Sequence, residues 1–176
     1  IYTEDGTAVT WNVTDNNFLT EEINKIPTQL GRTLLPPFEG QIGKAGIEVS
    51  KVGTGNDNFH PMDNTFRNLA NGIIARNSNA SVTGGLFEDM SVTGDHSPEG
   101  NGIYFQGGND GASLVQIGQE QSLTNPTFDN CRTGIYLLNA NSEISNNGMV
   151  NVETGVFNAL SRLKTTDISN CDISAS

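Results

Sequence analysis

The sequence predicts an all-β chain wound as a parallel β-helix solenoid. Three observations carry that prediction: a self-similar unit recurs with a period near 21 residues, each unit holds short β-rich runs, and turn-formers abound. Gly, Asn, Thr and Ser together make up 72 of the 176 residues, and such residues favour turns over helix interiors. Only 16% of the chain is charged, which argues against a coiled coil or a solvated helical bundle. At 35% apolar the chain can bury one core, and its length suits one domain.

Residues 1–60 read as a capping segment with irregular first coils. Val9, Trp11 and Val13 alternate as a strand would. Thr20 to Ile26 suits one or two helical turns, with Thr20 as N-cap, acids in the first turn and Pro27 as the stop. Leu34 to Phe38 reads as extended, and Ile47-Glu-Val49 as a further strand. A solenoid end exposes backbone and core, so a cover is expected there.

Residues 61–176 read as regular coils. Phe66 is followed by Gly72-Ile73, Phe128 by Gly134-Ile135 and Met149 by Gly155-Val156, each after five intervening positions. Phe87 opens a further copy whose Gly102-Ile103 arrives late, which places an insertion near 91–101; a second falls near 106–122. Val82, Leu123, Ile144 and Ile168 precede Phe87, Phe128, Met149 and Ile173 by five residues. A unit of about 21 residues is too short for two helices and cannot bury a hydrophobic face alone. Stacked at the strand spacing of ~4.8 Å, such units close a shared core. The final coil begins at Ile173 and breaks off at Ser176, while Ile1 is not a methionine; a longer natural chain or assembly is therefore expected.

The pattern of Ile144-Ser-Asn146-Asn-Gly-Met149-Val-Asn151 resembles the right-handed parallel β-helix superfamily, the pectate-lyase-like solenoids. The likeness covers about residues 60–176 and implies right-handed coils. That superfamily includes polysaccharide lyases, glycosidases, tailspikes and adhesins, so the likeness leaves function to be argued from a site. Its lyases use an Arg or Lys base with calcium-binding carboxylates, and its hydrolases use clustered Asp; neither set transfers onto this chain residue by residue.

The register gives two turn columns, Gly84, Asn125, Asn146 and Asn170 in one and Asn68, Asp89, Asn130 and Asn151 in the other. Asn tolerates the left-handed conformation of a tight corner, and stacked amides can bond one another, so these columns read as a structural ladder. If Ile73, Ile103, Ile135 and Val156 face inward, then Ile74, Tyr104, Tyr136 and Phe157 face out as a contact stripe. Such a stripe marks a partner, a glycan platform or an internal cover, with Leu34, Leu35 and Phe38, or the second insertion, as candidates to cover it. Arg67 shares an outward row with Glu88 and Asp129, and neither Arg67 nor Arg76 is expected to have a carboxylate stacked directly beside it.

No cofactor is expected; Asp89, Asp95 and Glu99 on or beside the first insertion are the candidate ligands should calcium bind. Cys131 falls in a core column and Cys171 in a turn, so no bridge between them is expected. The net charge of −11 argues against nucleic acid, and no apolar run approaches the roughly 18 residues that span a membrane. Asn12-Val-Thr14 and Asn79-Ala-Ser81 match the N-glycosylation triplet, which arises often by chance in such a composition. The reading that follows is a non-enzymatic structural or adhesive segment of a larger extracellular or cell-surface protein. It would contact neighbouring domains, subunits or polysaccharide through an outer sheet face. The alternative is a polysaccharide lyase or glycosidase acting in a groove.

Overall fold

A computed structural model describes residues 10–19, 44–50, 58–90, 92, 94, 98–108, 114–118, 127–159 and 166–174. Three strands form the first coil: β1 (Thr10–Thr14), β2 (Asn17–Leu19) and β3 (Ile47–Ser50). The second coil is β4 (Asn58–Met62), β5 (Thr65–Leu69) and β6 (Asn71–Arg76), and the third is β7 (Ala80–Val82), β8 (Leu86–Met90) and β9 (Asn101–Gln106). The fourth is β10 (Leu114–Ile117), β11 (Thr127–Cys131) and β12 (Thr133–Leu138). The fifth is β13 (Asn141–Ser145), β14 (Gly148–Val150) and β15 (Thr154–Ala159), followed by β16 (Thr166–Ser169) and β17 (Asp172–Ser174). Every third strand joins the same sheet, always in parallel, so three sheets run along a right-handed parallel β-helix. The helical turn expected at Thr20–Ile26 and the extended run Leu34–Phe38 lie outside the described residues.

The register follows the repeat wherever no loop intervenes. Phe66 pairs with Phe87 and Phe128 with Met149, each 21 residues on. Phe87 pairs with Phe128, 41 residues on, because that turn of the solenoid carries both loops. One position is corrected: Ile117, not Leu123, stands in register between Val82 and Ile144. Leu123 has the right distance to Phe128, but spacing cannot locate a strand when a loop follows it. Ile117 belongs to β10, which lies inside the stretch 106–122, and Leu123 lies outside the described residues.

Apolar columns fill the interior. Phe18, Phe66, Phe87 and Phe128 stack ring on ring at 5.1, 4.8 and 4.8 Å, with interplanar angles of 9–13°. Met149 continues this column, while Ile73, Ile103 and Ile135 line the facing sheet, all fully buried. The ring column explains the glycine of the repeat. A Cβ on Gly46 would lie 2.5 Å from Phe66 Cδ1, one on Gly72 would lie 2.5 Å from Phe87 Cδ1, and one on Gly102 would lie 2.4 Å from Phe128 Cδ1. Each glycine therefore leaves room for the phenylalanine of the next coil, a matter of close approach and not of φ.

The corners use left-handed residues. Between the second and third sheets stand Asn68, Asp89, Asn130 and Asn151, with φ between 51° and 58°. Between the first and second stand Asp15, Asp63, Gly84, Asn146 and Asn170, with φ between 49° and 60°; Asn125 lies outside the described residues. A third corner, at Asn77 (51°) and Asn139 (53°), escaped the reading of the repeat. Its signal was present, since each Asn falls five residues after the Gly of Gly72-Ile73 or Gly134-Ile135.

Both cysteines are free. Cys131 pairs in register with Met90 and is buried, and that burial pushes its thiol up to about 12. Cys171 lies beside Asn147, whose Nδ2 is 3.8 Å from its sulfur.

Two outcomes test this packing. Gly102→Ala should destabilise the chain by about 1–3 kcal/mol through overpacking. Adding Phe128→Leu should cost less in that background than in the wild type, as read from urea denaturation of the double-mutant cycle. Cys131, held as a thiol in the core, should resist alkylation at pH 8 in native protein and react at once in denaturant.

Candidate functional site

The outer face of the third sheet carries the column Glu48, Ile74, Tyr104, Tyr136 and Phe157, set by the register of β3, β6, β9, β12 and β15. From Ile74 onward exposure climbs: Ile74 is 0% exposed, Tyr104 9%, Tyr136 is half-buried and Phe157 is 43% exposed. Ile74 is thus covered and offers no surface for contact. The residues proposed to cover it, Leu34, Leu35 and Phe38, lie outside the described residues.

The three aromatic residues form a second ring stack, on the outside. Tyr104 and Tyr136 have centroids 5.2 Å apart at 25°, and Tyr136 and Phe157 lie 4.6 Å apart at 28°. Stacked aromatic pairs add about 0.5–1.5 kcal/mol each beyond area burial. The Arg76 guanidinium sits over the Tyr104 ring, 5.7 Å from its centroid. Arg76 also bonds Glu48 at 2.5 Å, and Glu48 in turn accepts from Lys44 at 2.8 Å. The bond from Lys44, seconded by that from Arg76, holds the Glu48 carboxyl below its usual range in spite of desolvation. Burial raises the Tyr104 phenol, so it stays neutral and can donate; its hydroxyl lies 3.4 Å from Gln106 Oε1.

The expectation that Arg67 and Arg76 lack adjacent carboxylates is corrected. Glu88 pairs across from Arg67 at 2.5 Å, and Glu48 reaches Arg76 diagonally from β3. Glu48 was not placed because the first coil departs from the 21-residue spacing.

A groove of about 680 Å³ runs over this face. Tyr104, Tyr136 and Phe157 line it, with Arg76, Arg132 and Glu99. Asn101, Gln106, Thr133 and Thr154 add neutral polar groups. Arg132 is 59% exposed and only loosely paired, 4.0 Å from Glu153. The first insertion forms one wall through Val92, Pro98 and Glu99. Asn71 anchors that wall by donating to the Pro98 carbonyl at 2.6 Å, and Asn101 Nδ2 donates to Asn71 Oδ1 at 2.9 Å. No repeat position or motif singles out these two buried asparagines or Arg132.

Of the suggested calcium ligands, Glu99 and Asp89 line two adjoining hollows. Glu99 lines the large groove and accepts from the Gly94 amide at 2.7 Å. Asp89 lines a hollow of about 380 Å³ at the corner, which shares Val92 and Arg132 with the groove, and accepts from Asn130 Nδ2 at 2.6 Å. Asp95 lies outside the described residues, and among these no group of three or more His, Cys, Asp or Glu is placed to hold a metal. At the corners, Asn170 Nδ2 donates to Asn146 Oδ1 at 2.5 Å, and Asn151 Nδ2 donates to Asp129 Oδ1 at 3.0 Å. These amides bond along the solenoid axis, as a ladder does.

Comparison with protein-family models, curated proteins and solved structures finds no match to this chain.

The corner geometry is testable at Asn130. Asn130→Ala should lose about 1–2 kcal/mol, since it meets the left-handed penalty and drops the bond to Asp89. Asn130→Gly should lose less because glycine adopts that φ freely, as thermal unfolding of both variants would report.

Proposed function

We propose that this chain is a non-enzymatic segment of a larger extracellular structural or adhesive protein, and that it holds a polysaccharide in the groove over its third sheet. One observation carries the reading: a 680 Å³ groove whose aromatic stack is surrounded by Arg, Glu, Gln, Asn and Thr. Its size suits a bound small molecule or a few sugar units, and its polar groups suit hydroxyls. A nucleic acid fits poorly with the net charge of −11. We further propose that the chain belongs with the pectate-lyase-like β-helices, on the strength of its repeat and its three parallel sheets.

Binding is favoured over hydrolysis because glycoside hydrolysis generally uses two facing carboxyl groups. Among the described residues lining the groove, Glu99 is the one carboxylate. The exposed Arg132 offers a ligand a guanidinium, and the half-buried Gln106 lines the same groove with a neutral amide.

Retention on immobilised polysaccharides tests this reading. The wild-type chain should bind at least one of a panel of neutral and acidic plant or bacterial polysaccharides. Arg132→Ala with Gln106→Ala should weaken that binding by about tenfold or more while leaving the melting temperature unchanged. Release of reducing ends or of unsaturated sugars by the wild-type chain would replace this reading with the enzymatic one.

A further inference from the structure

We infer that Asn71 and Asn101 are latent modification sites: the chain deamidates there once unfolded, the fold holds both inert, and loss of either amide undoes the wall of the groove. This holds whatever the groove binds. Both asparagines precede glycine, in Asn71-Gly72 and Asn101-Gly102. Glycine has no Cβ to hinder its nitrogen as it attacks the Asn Cγ. That attack forms the N–Cγ bond of a succinimide and breaks the Cγ–Nδ2 bond, and the side-chain nitrogen leaves as ammonia with the proton of the glycine amide. Water then opens the ring at either carbonyl, giving aspartate or isoaspartate. Two separate demands create this dipeptide. Gly72 and Gly102 must lack a Cβ, which would lie 2.5 Å from Phe87 Cδ1 and 2.4 Å from Phe128 Cδ1. The residue before the glycine is set by the wall. In register the column runs Asn71, Asn101, Thr133 and Thr154, so asparagine stands in the two coils that meet the first insertion and threonine in the two beyond.

The amides are fully engaged. Asn71 Nδ2 donates to the Lys44 carbonyl at 3.1 Å and to the Pro98 carbonyl at 2.6 Å. Asn101 Nδ2 donates to Asn71 Oδ1 at 2.9 Å and to the Glu99 carbonyl at 3.1 Å. Threonine, with one donor, could not make both bonds. The same contacts block the reaction. Attack requires the backbone to leave the extended form, yet Gly72 lies within β6 and Gly102 within β9, and each strand is paired on both edges. Asn71 is 0% exposed and Asn101 3%, so neither side chain can swing toward the nitrogen that follows it. Unfolding removes both restraints. The product cannot return. An ionised acid in place of Asn71 has no hydrogen to donate, so it would set a buried negative charge against the carbonyl oxygens of Lys44 and Pro98. In place of Asn101 it would face Asn71 Oδ1 and the Glu99 carbonyl in the same way. Isoaspartate also adds a main-chain carbon, in a strand whose register is fixed on both edges. Pro98 and Glu99 then lose their tie, and the groove its wall.

The test ages the full chain at pH 8, in buffer and in urea, and maps aspartate and isoaspartate by peptide mass spectrometry. In urea both sites should convert, as should Asn147-Gly148, the third such pair in the sequence, which gauges the reaction. In buffer, conversion at Asn71 and Asn101 should be slower by about a hundredfold or more. On dilution from urea, the chains that refold should retain asparagine at both positions, and the converted chains should stay in the unfolded fraction. Conversion in buffer at the urea rate would overturn the protection, and no conversion in urea while Asn147 reacts would overturn the sites. Converted chains found equally in the refolded fraction would overturn the link to the wall. Asn71→Asp supplies the product directly: it should lower the melting temperature or fail to fold, and melting as the wild type does would overturn the role given to the amide.

Discussion

The ring stack of Phe18, Phe66, Phe87 and Phe128 ties the coils of this protein to one another, because its spacing of 4.8–5.1 Å is the spacing of neighbouring strands. Rings can stack at that distance only if each coil returns to the same place in cross-section. That demand reaches the rest of the chain. Gly72 and Gly102 must lack a side chain for the next ring to fit, and the corners must turn tightly enough to close each coil. Left-handed Asn and Asp supply those corners, at Asn68, Asp89, Asn130 and Asn151 among others. The inner stack, the glycine column and the asparagine columns are three consequences of one closure condition.

The same condition builds the outer face. Once the strands of the third sheet are in register, one side chain per coil falls in line on the outside, and Tyr104, Tyr136 and Phe157 are brought ring to ring with no contribution from a loop. Inside, stacking fills a core. Outside, it lines a groove with a row of rings. Loops then distinguish this face from the other two. The first insertion raises a wall through Pro98 and Glu99, anchored to the buried Asn71, and converts a flat sheet into a groove. The coil that carries the two insertions is the one that walls this groove.

Electrostatics act locally, against a strongly acidic background. Arg76 is drawn to Glu48 and Arg67 to Glu88, so these cations are neutralised on the surface where they stand. Exposed pairs of this kind contribute little to stability, roughly 0–1 kcal/mol each. Their effect is positional: Arg76, held by Glu48, stays over the Tyr104 ring and closes that end of the outer stack. Arg132 lacks so close a partner and is left for the groove.

Much of this was legible in the sequence because the solenoid is nearly one-dimensional. A residue's neighbours lie one coil away, so the repeat itself encodes contacts, and the inward Phe66, Phe87 and Phe128 or the corner Asn130 could be placed without coordinates. The encoding failed where loops changed the coil length. Spacing points to Leu123 where Ile117 stands and cannot set Glu48 beside Arg76, because it says nothing across an irregular stretch. The column Ile74, Tyr104, Tyr136 and Phe157 was readable as a row, but the exposure of each member was not. Register fixes which side chains are aligned, a property of the repeat. Burial depends on what lies above them, and only the tertiary structure decides that: it covers Ile74, places a ring on each side of Tyr136 and leaves Phe157 43% exposed.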